Sequence, residues 1–197
     1  MHDLHEACRN GDIETVNMLI KKGVNINDKN VHNSPKLTFC ETPLIIACFY
    51  DKYDIAKLLI SHGANVNEKN DYGTTALHVA CLYGNYNTAK LLLEHDANVN
   101  VKNNCDETPL HVACGCYVHN NHGNGNYVYR DIVKILLEYG ANINNENNIG
   151  ETPLKKINKV DTNIAKYLRK DIDKRIYILS LIIQYDVLKH YIVRKID

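Results

Sequence analysis

One short phrase comes back five times along this chain. It reads Asp3-Leu4-His5-Glu6-Ala7-Cys8, Thr42-Pro43-Leu44-Ile45-Ile46-Ala47-Cys48, Thr75-Ala76-Leu77-His78-Val79-Ala80-Cys81, Thr108-Pro109-Leu110-His111-Val112-Ala113-Cys114 and Thr152-Pro153-Leu154-Lys155-Lys156-Ile157. The leucines stand at 4, 44, 77, 110 and 154, so the spacings are 40, 33, 33 and 44 residues. A recurring period of this length marks an array of units, each too small to bury its own apolar face and each leaning on its neighbours.

The local chemistry of each unit fits a helix, a turn, a second helix and a stop. Threonine caps a first helix with its hydroxyl, and proline in the first turn loses no hydrogen bond because that N–H has no intrahelical partner. The Ala-Cys pairs at 7/8, 47/48, 80/81 and 113/114 are small enough for close contact between units, where bulk would force them apart. A second apolar stretch follows and ends at Gly23, Gly63, Asp96 or Gly140. Glycine closes a helix in the left-handed conformation at little steric cost, and aspartate does so less well, which predicts the weakest helix end at Asp96. Each stop is followed by a closing string: Val24-Asn25-Ile26-Asn27, Ala64-Asn65-Val66-Asn67, Ala97-Asn98-Val99-Asn100 and Ala141-Asn142-Ile143-Asn144.

The combination of TPLHxA with GANVN, repeated four or five times, resembles the ankyrin-repeat family over residues 1–168. The fold it implies is mainly α: an ankyrin-repeat solenoid with short β-hairpin fingers. The expected units are 1–28, 29–68, 69–101, 102–145 and 146–168. Residues 169–197 are expected to form a C-terminal amphipathic capping helix or tail, because Ile172, Ile176, Leu179, Ile183 and Val187 fall on one helical face. The additional residues of the first interval lengthen the finger between Asn27 and Thr42. Those of the fourth unit, within Gly115–Arg130, read as a mobile surface loop from their Asn, Gly and His content.

Charge and cysteine use narrow the functional classes. The chain has 23 Lys+Arg and 23 Asp+Glu, so no global charge draws it to nucleic acid, although the acidic side chains concentrate before residue 155 and the basic ones after it. The densest apolar run, Ile176 to Ile183, is far below the roughly 20 residues needed to cross a bilayer. Seven cysteines is an odd number, and four of them, Cys8, Cys48, Cys81 and Cys114, recur at one register, which favours reduced thiols. The expectation is a monomeric protein of the cytoplasm (the host cytoplasm if the chain is viral), or of the nucleus, that binds neither membrane nor nucleic acid.

Catalysis finds no constellation. His78 and His111 occupy one repeated slot, shared by His5, and no paired nucleophile or base accompanies them; in the resembled family this imidazole links neighbouring repeats. Cys116, His119 and His122 are the ligand-type side chains left once Cys114 is assigned to the repeated core position, one short of the four of a structural zinc site. No cofactor and no resident metal are therefore expected, and a metal-binding or enzymatic role for the 115–130 loop is the minority alternative. By resemblance, Asn67 and Asn100 match an asparagine that a cytosolic hydroxylase can modify, against the simpler role of a hydrogen-bonded turn residue.

What the resemblance implies instead is a non-catalytic module that grips another protein along a concave face of finger tips and first helices. The family's contact positions fall on Lys36, Leu37, Phe39, Glu41, Phe49, Tyr50, Asp71, Tyr72, Thr74, Leu82, Tyr83, Asn104, Cys105, Glu107, Asn148, Ile149 and Glu151. Tyr50, Tyr72 and Tyr83 are the expected anchors, because exposed aromatics supply large contact area with few rotors. Composition and irregular insertions resemble the ankyrin proteins of large DNA viruses, poxviruses especially, whose partners are host factors. Some of those proteins are ubiquitin-ligase substrate adaptors through an F-box-like end beginning Leu-Pro; residues 172–197 contain no proline, so that alternative lacks its motif.

Overall fold

The computed structural model describes residues 3–29, 41–119, 126–157 and 170. The chain divides into two compact units, Met1–Ile157 and Asn158–Asp197. The expected long-finger positions 30–40, the second helix of the fifth repeat and the amphipathic tail lie outside the described residues.

Nine helices are described, all in the first unit: α1 (Leu4–Asn10), α2 (Ile13–Lys21), α3 (Pro43–Phe49), α4 (Tyr53–Ser61), α5 (Ala76–Tyr83), α6 (Tyr86–Glu94), α7 (Pro109–His119), α8 (Asn126–Glu138) and α9 (Pro153–Ile157). They pack in two rows. The odd-numbered helices each touch the next odd one, the even-numbered helices each touch the next even one, and α1·α2, α3·α4, α5·α6 and α7·α8 close the hairpins. This is the arrangement the period demands, since Leu44, Leu77 and Leu110 from the first row and Leu59, Leu92 and Leu136 from the second are almost fully buried between units.

Helix starts follow the phrase. The Ile45 N–H donates to the Thr42 hydroxyl at 3.3 Å, and Thr75 forms a capping box with His78 in place of the usual acidic residue. Left-handed residues close the turns at three registers, and at each register one repeat has aspartate where its siblings have glycine. Asp51 stands beside Gly11 and Gly84, Asp96 beside Gly23, Gly63 and Gly140, and Asp106 beside Gly73 and Gly150, all at positive φ. Asp96 has φ 63°, in the left-handed region that aspartate tolerates less well than glycine. Asp96→Gly is expected to raise the thermal midpoint by about 1–3 °C and Gly63→Asp to lower it. The strain relieved is about 1–2 kcal/mol, partly offset by the freer unfolded glycine chain.

The fingers are tighter than hairpins of strand length. Apart from an isolated bridge at Glu41, no strand occurs among the described residues. Each finger is instead wound around an asparagine: Asn70 Oδ1 accepts from Tyr72 N and Thr74 N, Asn103 Oδ1 from Cys105 N and Glu107 N, and Asn147 Oδ1 from Ile149 N and Glu151 N. Successive fingers then bond to each other, Asn104 N to Tyr72 O at 2.9 Å and Asn148 N to Cys105 O at 3.1 Å. Gly73 is needed at that seam, because a Cβ there would lie 2.9 Å from Asn104 N.

The insertion in the fourth repeat differs from its expectation. Most of residues 115–130 is helix: α7 continues through Gly115 to His119 and α8 begins at Asn126, leaving 120–125 outside the described residues. The mobile-loop reading followed the Asn and Gly content, whereas the residues flanking that stretch extend both helices by additional turns. Tyr129 holds the extension down: its ring is buried, its hydroxyl donates to Leu82 O at 3.0 Å, and it packs against Gly84. Asn85 holds the same register one repeat earlier and reaches back to Cys48 O at 2.9 Å.

Candidate interaction surface

Stacking consumes most of the candidate polar chemistry. Thr75 N–H donates to His78 Nδ1 at 3.2 Å, so the ring carries its proton on Nε2, which donates to Glu107 O on the next finger at 3.0 Å. His111 repeats this with Thr108 N and Glu151 O. Burial pushes the His78 imidazole down to about 4, and a second proton on Nδ1 would also face the Thr75 N–H. Burial lowers His111 too. Both rings are neutral crosspieces between repeats.

Asn67 and Asn100, the two candidate hydroxylation positions, are bonded into the closing strings. Asn67 Oδ1 accepts from Asn98 N at 2.7 Å while its Nδ2 donates to Asp96 O at 3.0 Å. Asn100 does the same with Asn142 N and Gly140 O. Lys69 and Lys102 extend this lateral stitching, each donating to a carbonyl of the following repeat.

No group of three potential metal ligands occurs among the described residues. Cys114 is fully buried, its thiol raised by that burial well above the ordinary range. Cys116 is half-buried and likewise raised by burial, with Lys156 pulling the other way. His122 and the His119 side chain lie outside the described residues. The six described cysteines, Cys8, Cys48, Cys81, Cys105, Cys114 and Cys116, are all free thiols.

What stacking leaves over is an apolar strip on the first-helix row and finger tips. Tyr72 is 49% exposed, Leu82 43%, Tyr83 46% and Ile149 71%. Phe49 stands between two tyrosines, its ring centroid 5.0 Å from Tyr50 and 4.8 Å, edge-on, from Tyr83. The Arg9 guanidinium lies over the other side of this group, 6.0 Å from the Tyr50 centroid. Beside the strip, Thr74, His78, Leu82, Asn103, Glu107, Val112, Gly115, Cys116 and Lys156 line an open cleft of about 250 Å³. Gly115 keeps it wide, and the Lys156 ammonium pairs with the Glu107 carboxylate across it.

The other contact candidates divide. Asp71, Asn104, Cys105 and Asn148 are exposed at finger tips, yet Asn104 Nδ2 is spent on Asp71 O at 2.8 Å. Thr74, Glu107 and Glu151 are half-buried. Glu41 is buried, at 6% exposure, where the family pattern implied an exposed contact. Lys36, Leu37 and Phe39 lie outside the described residues. Sequence reasoning missed Arg9 and Tyr129, and read Lys156 as part of a solvated basic run where it pairs with Glu107. Arg9 sits in a helix whose inward and outward faces are told apart only by the stack, and Tyr129 is displaced by the insertion.

Residues 4–103 match the family description "Ankyrin repeats (3 copies)" and residues 105–148 match "Ankyrin repeat". Protein phosphatase 1 regulatory subunit 27 of Homo sapiens is 40% identical over 70 residues, 36% of this chain and 41% of that protein, and the Mus musculus protein gives the same figures. The chain thus spans about two-fifths of the length of these relatives. Family patterns over most of the compact unit, laid on helices that stack in two rows, lead to one assignment: the chain belongs to the ankyrin-repeat family.

Proposed function

We propose that the chain is a non-catalytic protein-interaction module that holds a partner protein against the first-helix row and finger tips. The observation that carries this is the exposed strip of Tyr72, Leu82, Tyr83 and Ile149 along the first-helix row and finger tips. Ankyrin repeats are generally protein-binding modules, and the human relative is by name a regulatory subunit. The viral-type composition makes a host factor the partner we expect. Free core thiols favour a reducing compartment, the cytoplasm first.

Affinity capture from host-cell extract, comparing the wild type with Tyr72→Ala/Tyr83→Ala, tests the reading. Removing two aromatic anchors is expected to reduce partner recovery by at least about tenfold, as hot-spot truncations do. The melting curve should stay within a few degrees, because both side chains are about half exposed. Undiminished recovery by the double variant would move the grip to another face.

A further inference from the structure

Two positions follow the cysteine of each of the first four phrases, and they hold Arg9-Asn10, Phe49-Tyr50, Leu82-Tyr83 and Gly115-Cys116. Between the second and third repeats these side chains interlock: the Tyr83 ring lies edge-on to Phe49 with centroids 4.8 Å apart, and Phe49 is half-buried. One repeat further on, Leu82 takes the place of Phe49 and Cys116 the place of Tyr83. The short Cys116 side chain cannot cover Leu82 as Tyr83 covers Phe49, and Leu82 stays 43% exposed. The space beside it is the cleft of about 250 Å³, with Val112, Gly115 and Cys116 of α7 among its lining.

Gly115 has no backbone reason to be glycine. It lies inside α7, outside the left-handed region, and a Cβ there would meet Lys156 Nζ at 3.6 Å and Lys156 Cδ at 3.8 Å, which is ordinary contact. Glycine in a helix interior is destabilising relative to alanine, so α7 gives up stability at a point where a side chain would fit. What the missing side chain leaves is the open cleft. The polar groups around that space are already matched to one another. His78 is bonded at both ring nitrogens, to Thr75 N and Glu107 O. Asn103 Oδ1 accepts from Cys105 N and Glu107 N, and the Glu107 carboxylate holds the Lys156 ammonium.

We propose that the cleft receives an aromatic side chain of the partner protein, which covers Leu82 as Tyr83 covers Phe49. This rests on the reading of the first-helix row as the binding face. The volume suffices, since an apolar cavity of about 150 Å³ holds a benzene molecule. A charged side chain would have to break the pair between Glu107 and Lys156 to find a partner of its own, and an uncharged ring need not. A ring over Gly115 also lies beside the Lys156 ammonium, which aromatic faces attract. An aromatic anchor in a preformed pocket is the usual form of an interface hot spot.

The test is a phage-displayed random peptide library panned on the full chain, with Gly115→Leu and Tyr72→Ala/Tyr83→Ala in parallel. The expected peptides lose binding on the tyrosine variant and carry Phe, Tyr or Trp at one fixed place. Replacing that residue by alanine, or Gly115 by leucine, should each weaken binding roughly tenfold, and the two together little more than either alone. Gly115→Ala should melt a few degrees above the wild type and Gly115→Leu no lower than the wild type, since both are better helix formers than glycine. Should the leucine not be accommodated, Gly115→Ala carries the comparison, with a loss of roughly threefold, the scale of one methyl group. A fall in the melting point of Gly115→Ala overturns the proposal, because the glycine would then serve the fold. Peptides that need the tyrosines yet carry a fixed aliphatic or charged residue instead, or bind Gly115→Leu equally, overturn the pocket and leave the strip intact. Peptides indifferent to the tyrosines overturn the strip, and indifference to both variants overturns strip and pocket together. No enrichment on any chain counts against both.

Discussion

Leu92→Ala is expected to cost about 2–5 kcal/mol of unfolding free energy, a large part of the roughly 5–15 kcal/mol typical of a folded domain. Leu92 is 0% exposed. It sits in α6, which packs on α4 before it and α8 after it as well as on α5 in its own hairpin. In an array, stability is approximately the sum of unit and interface terms. One truncation in the third unit therefore weakens two interfaces together, those of α6 with α4 and with α8. Denaturant titration followed by far-ultraviolet circular dichroism should show an earlier midpoint, with the transition broadening or splitting as the two ends uncouple. Lys90→Ala, on the exposed side of the same helix, should change stability by less than about 0.5 kcal/mol. A loss for Leu92→Ala as small as that of Lys90→Ala would mean that α6 is not held between neighbours.

The outward face of the first repeat shows what one neighbour covers. Met18 and Val24 are 38% and 40% exposed, whereas their counterparts Leu91 and Ile135, and Ala64, Ala97 and Ala141, are buried. Glu6 and Thr15 stand where Ile46 and Val79, and Ile55 and Ile132, are buried. Glu6 and Thr15 thus put polar side chains on a face that the internal repeats bury.

Features repeated in register were legible from the sequence. Thr-Pro-Leu-His set the first helices, Gly or Asp the stops, and the occurrence of His78 and His111 once per unit marked them as structural, their crosspiece role being what the family resemblance implied. Features that depend on one repeat alone were not. The residues flanking 120–125 read as loop because Asn and Gly dominate the window, while the stabilising contact comes from Tyr129 to Leu82 in another repeat, 47 positions away. Glu41 shares its register with Glu107, yet Glu107 alone meets Lys156 of the next repeat, a pairing no single unit announces. Finger asparagines looked like generic turn formers; that Asn104 also stitches one finger to the last needed the stack.

Acidification should weaken the fold before most carboxylates titrate. His78 is held at about 4 in the folded chain, against about 6.5 for an unfolded imidazole. At pH 7 both states are neutral and the ring contributes no slope. As pH falls below about 6.5 the unfolded chain binds a proton that the folded chain refuses, so stability declines by up to about 1.4 kcal/mol per pH unit until about pH 4, where the folded ring also protonates. The whole window is worth roughly 3 kcal/mol for His78, with His111 adding in the same direction. Between about pH 6.5 and 5 ordinary carboxylates remain mostly ionised, so the imidazoles dominate that interval, with Glu41, raised by burial, acting in the opposite sense. Denaturant midpoints measured at closely spaced pH values there should fall steadily for the wild type. His78→Gln keeps an amide donor for Glu107 O and cannot titrate, so it should begin less stable at pH 7 and lose less on the way down. A wild-type midpoint constant from pH 7 to 5 would mean that both imidazoles accept protons without leaving their bonds, and that the crosspieces between repeats are looser than the 3.0 Å contacts to Glu107 and Glu151 describe.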